Sequence, residues 1–151
     1  MFIKKNLERG RKTMPAKGKT KRNYVYAVGR RRSASCRVRL FKGDKESVVN
    51  GEVIGKYFPG EVMRKAWLRP FEATGTLGKY YISAKIVGGG KKGQLDALVL
   101  AISRAFSKLD TEKYKPLLKK QGLLSRDARI RQRRMVGTGG KARRKKQSPK
   151  R

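Results

Sequence analysis

Apolar and polar residues alternate twice along this chain, and each alternation predicts a strand with one buried face. From Ser35 to Phe41 it sets Cys36, Val38 and Leu40 on one side and Arg37 and Arg39 on the other; later Tyr80, Ile82, Ala84 and Ile86 share one face. The β-branched and aromatic run Tyr24–Val28 predicts a third strand, broken by Gly29. The stretch from Gly29 to Ser35 then predicts a bulge or turn that presents Arg30, Arg31 and Arg32 beside Ser33 and Ser35. Lys42-Gly43-Asp44-Lys45 predicts a hairpin turn, Ser47-Val48-Val49 a short strand and Asn50-Gly51 another turn.

The period then changes. Short helices are expected over Val53–Phe58 and Glu61–Leu68, stopped by Pro59 and Pro70, with Phe58 and Trp67 as core residues. A longer helix is expected from Gln94 to Leu109, with Leu95, Leu98, Val99, Ile102, Ala105, Phe106 and Leu109 at core spacing. Asp110 suits the N-cap of a short helix through Leu117-Leu118 that ends near Gly122; Pro116 stands in its first turns or breaks it. Leu123-Leu124 are expected to tuck under the core. Strands and helices interspersed in this way make an α+β domain.

The ends follow neither period. Eleven of the 12 aromatic residues lie between Tyr24 and Tyr114, whereas residues 1–22 carry a net +8 and residues 126–151 a net +11 of the chain's +32. Three parts are therefore expected: a basic N-terminal extension, 1–22; a globular core, 23–125; and an extended basic tail, 126–151. The tail has too few apolar residues to offset the entropy of ordering itself, so it must order on something negative. Fully extended, its 26 residues reach about 85 Å at most. Met14-Pro15 offers an alternative start for the natural protein.

Even the 103 residues between the ends carry +13, so a polyanion is the expected partner. A lipid surface would call for a long apolar span or a broad apolar helix face, and the basic segments contain neither, so no membrane partner is expected. Cys36 is the single cysteine and histidine is absent, which removes an intrachain disulfide and the commonest metal and acid/base chemistry; no cofactor, metal or small-molecule substrate is expected. Gly88, Gly90 and Gly93 satisfy the dinucleotide fingerprint G-x-G-x-x-G, with Asp110 about twenty residues on. That reading fails because Thr111 to Pro116 is no second buried parallel strand. The same glycines, a helix N-terminus and Lys91 with Lys92 suit a nucleic-acid backbone instead.

Several motifs in one order resemble the bacterial-type small-subunit ribosomal protein nine, the universal S-nine family, across nearly everything after Asn23. They are the run Ala27 to Leu40, Val49-Asn50-Gly51, Tyr57-Phe58-Pro59, Thr74 to Lys79, Gly88-Gly89-Gly90 with Gly93-Gln94, Ala101 to Phe106, Leu124 to Arg129 and Lys150-Arg151. The resemblance implies a ribosomal-S-five-domain-two-like α+β fold: a mostly antiparallel four-stranded sheet packed by helices, with a left-handed βαβ crossover. It further implies binding to small-subunit ribosomal RNA of the head (3′ major domain) beside neighbouring head proteins. The tail is then expected to thread to the peptidyl-site tRNA, in a cytoplasmic ribosomal subunit. Family members commonly end Gln-Phe-Ser-Lys-Arg, whereas this chain has Gln147-Ser148-Pro149-Lys150-Arg151.

The expected protein is thus a structural RNA binder and no enzyme. Arg30, Arg31, Arg32, Arg37, Arg39, Lys91 and Lys92 are the expected phosphate contacts of the core. Arg126, Arg129, Arg131, Arg133, Arg134, Lys141, Arg143 and Arg144 are those of the tail, and Lys150 and Arg151 are directed at tRNA. The rival from another class is a histone-like protein that binds nucleic acid without selectivity.

Overall fold

Two strands that alternate in register make a sheet with one apolar face, and the longest amphipathic helix covers it. In the computed structural model, which describes residues 23–133, these strands are β2 (Ala34–Lys42) and β5 (Tyr80–Val87), and the helix is α3 (Lys91–Leu109). The remaining elements are β1 (Val25–Arg31), β3 (Val48–Val49), β4 (Glu52–Val53), α1 (Ile54–Tyr57), α2 (Glu61–Thr74) and α4 (Thr111–Lys120). The sheet order is β1-β2-β5-β3-β4, antiparallel throughout except that β3 runs parallel to β5. The architecture is α+β with a mixed sheet of five strands rather than four. The additional strand is the two-residue β4, closed onto β3 by the predicted Asn50-Gly51 turn with φ of 52° and 94°.

Ala27, Cys36, Val38, Leu40, Ile82 and Ile86 are buried on one sheet face against Leu95, Leu98, Ile102 and Phe106 of α3. Helices α2 and α4 form the outer layer, and Phe106 joins the layers through edge-on contacts with Phe71, Tyr80 and Tyr114 at 5.3 to 5.7 Å. Cys36 lies in this core, where burial pushes its thiol up to about 12 and leaves it a packing residue.

Five local expectations are corrected. Gly29 does not break β1, which runs on to Arg31; the glycine is needed because α3 passes directly over it. The turn shrinks to Arg32-Ser33, with Arg32 at φ 51°. Lys42–Lys45 is no hairpin, since β5 lies between β2 and β3, and Gly43 N–H instead donates to the Lys79 carbonyl at 3.0 Å. Helix α2 passes through Pro70 to Thr74, because burial of Pro70 and Phe71 outweighs the lost backbone bond and Gly75 supplies a left-handed cap at φ 61°. Pro116 likewise lies inside α4, whose start is capped as predicted by Asp110, accepting from Lys113 N–H at 3.0 Å. The longer helix begins at Lys91, so Gly93 is within it.

Asn50 fastens the parallel pair: its Oδ1 accepts from Ile86 N–H at 2.8 Å and its Nδ2 donates to the Ile86 carbonyl at 3.0 Å. Asn50→Ala removes both bonds and places alanine at positive φ. Chemical denaturation should show a loss of about 2 to 4 kcal/mol; a loss under about 0.5 kcal/mol would mean that these bonds carry nothing.

Candidate nucleic-acid interface

Because side chains alternate, the strands that send apolar residues to α3 send the intervening ones to the opposite face. Tyr26, Arg30, Arg37, Arg39, Ser83 and Lys85 stand exposed there, and β2 lies between β1 and β5. Arg37 is directly opposite Lys85, and Arg39 is opposite both Tyr26 and Ser83. Like charges facing each other across a pair of strands destabilise it, and none of Arg37, Arg39 and Lys85 has an acidic partner among the described residues. A depression of about 710 Å³ runs over these side chains and is also lined by Asn50 and Gly51. At the far end of the face, Phe41 and Tyr81 stack at 5.1 Å with Tyr24 tilted against Phe41, and the Arg39 guanidinium is 5.4 Å from the centre of the Tyr24 ring. Cations spaced by the strand separation beside aromatic rings can hold a chain of phosphates with unpaired bases alongside.

Not all of the expected contacts gather here. Arg30, Arg37 and Arg39 lie on the open face, and Arg32 is exposed at the turn. Arg31 points the other way, with its side chain 12% exposed, and is consumed by protein. Its Nη2 is 2.8 Å from Asp127 Oδ2, its Nη1 donates to the Arg129 carbonyl at 2.7 Å, and its Nε is 3.6 Å from Asp96 Oδ2. Arg129 in turn grips Asp127, its Nη2 donating to Oδ2 at 2.8 Å and its Nε to Oδ1 at 3.1 Å. These bonds from Arg129, with the charge of Arg31 behind them, hold the Asp127 carboxyl well below the usual carboxylate range and raise the Arg129 guanidinium. The start of the tail is therefore clasped to the β1–β2 turn and α3.

The glycine loop is also used by the fold. A Cβ at Gly88 would lie 2.6 Å from the Ser33 carbonyl oxygen and one at Gly89 would lie 3.0 Å from the Ala34 methyl, so these glycines let the loop press on the β1–β2 turn. Lys91 caps α1, donating to the Tyr57 carbonyl at 3.1 Å with its ammonium 3.5 Å from the centre of the Tyr57 ring, while Lys92 is exposed. Arg126, Arg131 and Arg133 are exposed on irregular chain. Arg134, Lys141, Arg143, Arg144, Lys150 and Arg151, with the Ser148-Pro149 departure and the extension 1–22, lie outside the described residues.

Sequence reasoning missed Lys85, Tyr26 and the Phe41–Tyr81 stack. The signal was available: if Ile82, Ala84 and Ile86 face the core, Tyr81, Ser83 and Lys85 face away, as Arg37 and Arg39 do on the neighbouring strand.

A basic α+β domain whose described residues leave a cationic sheet face uncovered and hold no group of metal-ligating side chains, and whose glycine loop is spent on packing, has the makings of a nucleic-acid scaffold. No described helix is long and apolar enough to cross a membrane. Residues 29–151 match the family described as ribosomal protein S9/S16, and the chain belongs to that family, whose members are structural ribosomal proteins and not enzymes. It is 44% identical over 125 residues to the small ribosomal subunit protein uS9 of Leifsonia xyli subsp. xyli, covering 83% of this chain and 74% of that one. With the protein of the same name from Cutibacterium acnes it shares 42% over 111 residues, covering 74% of this chain and 64% of that one, less than two thirds of the relative's length.

Proposed function

We propose that the chain is a structural constituent of the cytoplasmic small ribosomal subunit, in which its core lies on ribosomal RNA of the head and its tail extends to the peptidyl-site tRNA. The observation that carries the RNA contact is the Arg37–Lys85 pair with Arg39 on the open sheet face: a polyanion laid over them relieves their mutual repulsion and releases its counterions. Arg30 on the same face, with Arg32, Lys92, Arg126, Arg131 and Arg133 exposed elsewhere, are further phosphate contacts in this reading. The division into extension 1–22, core 23–125 and tail 126–151 belongs to the same reading, as does the left-handed sense of the crossover between β3 and β5. Lys150 and Arg151 would add charge to the tRNA site without reading bases, which is what a site serving every codon requires.

Two experiments test the two halves. Changing Arg37, Arg39 and Lys85 together to Gln should flatten the salt dependence of binding to head-domain RNA fragments by about two to three units of slope; an unchanged slope would place the RNA elsewhere. Small subunits carrying a chain without Lys150 and Arg151 should assemble normally and bind peptidyl-site tRNA several-fold more weakly, in proportion to about two lost phosphate contacts. Equal tRNA affinity in intact subunits would refute the role of the tail tip. Comparable affinity for arbitrary duplex DNA at physiological salt would favour a histone-like binder.

A further inference from the structure

The acidic residues of this cationic protein are not spread evenly. Residues 44–61 carry Asp44, Glu46, Glu52 and Glu61 against Lys45 and Lys56, a net −2 in a chain of +32. The fold gathers part of this stretch around a groove of about 670 Å³ at the β4 edge of the sheet, between that edge and α2. Its wall is apolar, from Val53, Ile54, Phe58 and Trp67, and its carboxylates are Glu46 and Glu61, neither of which forms an ion pair among the described residues. Arg64 adds one positive charge. Val53, on the groove wall, is 42% exposed, and Val62, next in the chain to Glu61, is 84% exposed. The indole N–H of Trp67 is buried without an acceptor among the described residues.

RNA does not suit this groove, because its carboxylates repel phosphate. We propose that it is a protein-docking site, and that it takes a Lys/Arg-rich segment with interspersed apolar residues from a neighbouring protein of the assembly. Apolar side chains of the segment cover the exposed valines and the groove wall, where they pack on the Trp67 ring, and its cations meet Glu46 and Glu61. Residue 23 leads into β1, at the edge of the sheet opposite the groove and about 19 Å away across four strand spacings; occupation by the chain's own basic ends is an outcome that the crosslink distinguishes. The proposal rests on the ribosomal reading only for the assembly in which the partner is met.

The test places a photoreactive benzoylphenylalanine at Val53 of the full chain in living cells. Cosedimentation of that chain with small subunits, measured before illumination, tests the ribosomal reading by itself. On illumination the crosslink should fall on a Lys/Arg-rich peptide of another protein. Its yield should drop about tenfold in the Glu46→Lys/Glu61→Lys double variant and stay the same in Glu72→Lys, away from the groove. That peptide, synthesised and titrated against the free full chain, should shift the fluorescence of Trp67, the chain's single tryptophan, with about tenfold weaker binding to the double variant. Crosslinks to RNA, to either basic end of the same chain or to nothing, or a yield indifferent to the double variant, would overturn the proposal.

Discussion

Gly29→Ala is expected to destabilise the fold more than alanine at any other glycine among the described residues. The new Cβ would press into the Ala97 carbonyl oxygen, 2.6 Å from the Ala101 amide nitrogen and 3.0 Å from the Ala101 methyl. Two of these three neighbours are helix backbone and no rotamer relieves them, so β1 or α3 must move. β1 is an edge strand held on one side by β2 and on its face by α3; lifting it also strains the bonds by which Arg104 and Lys108 satisfy the Val28 and Tyr26 carbonyls at 2.9 and 3.1 Å. A cost of at least about 3 kcal/mol follows, near the upper end for overpacked cores. Thermal unfolding followed by circular dichroism should fall by about 10 to 20 °C. Gly55→Ala, where the added methyl meets nothing within 4 Å, is the control and should change little. A shift for Gly29→Ala within about 2 °C of that control would show that α3 does not pack on β1 as described.

Asp127→Ala should release the start of the tail. One carboxylate organises three donors of Arg129 and the guanidinium of Arg31, so its loss leaves a mostly buried cation with only the Arg129 carbonyl and a distant Asp96. Amide exchange at Arg129, whose N–H donates to Asp127 Oδ1 at 2.9 Å, should accelerate at least about tenfold. Exchange in the β2 and β5 core should stay unchanged. The pH dependence has a definite sign. Because the folded Asp127 titrates below its unfolded value of about 3.9, its contribution is complete above that value and fades as pH falls through the lower folded one. The clasp should therefore be indifferent to pH from 8 to 5 and loosen only in strong acid. Loosening near pH 6, or no change in exchange in Asp127→Ala, would contradict it.

What the sequence made legible was what repeats. Period-two alternation in Ser35–Phe41 and Tyr80–Ile86, and helical period in Gln94–Leu109, located the central strands and the helix that buries them. Asn50-Gly51 and Asp110 were legible because each residue type has a local reason to be where it is. What failed depended on distant neighbours. Gly29 looked like a breaker because α3, which requires a glycine there, lies some seventy residues later; Pro70 looked like a stop because the burial that carries the helix past it is tertiary. In the same way Arg30, Arg31 and Arg32 read as one cluster, whereas the strand sends Arg31 to Asp127, 96 positions on. Local composition located the cationic surface but could not tell which cations the protein spends on itself.

The central claim, that this basic core is a ribosomal mount for a tail reaching tRNA, is tested most directly by ultraviolet crosslinking in native cell extract. Crosslinked nucleotides are then mapped against peptide position. Peptides containing Arg37, Arg39 and Lys85 should join the head-domain RNA of the small subunit, and the peptide ending in Lys150-Arg151 should join tRNA anticodon loops. Crosslinks scattered over DNA and unrelated RNAs would contradict the account.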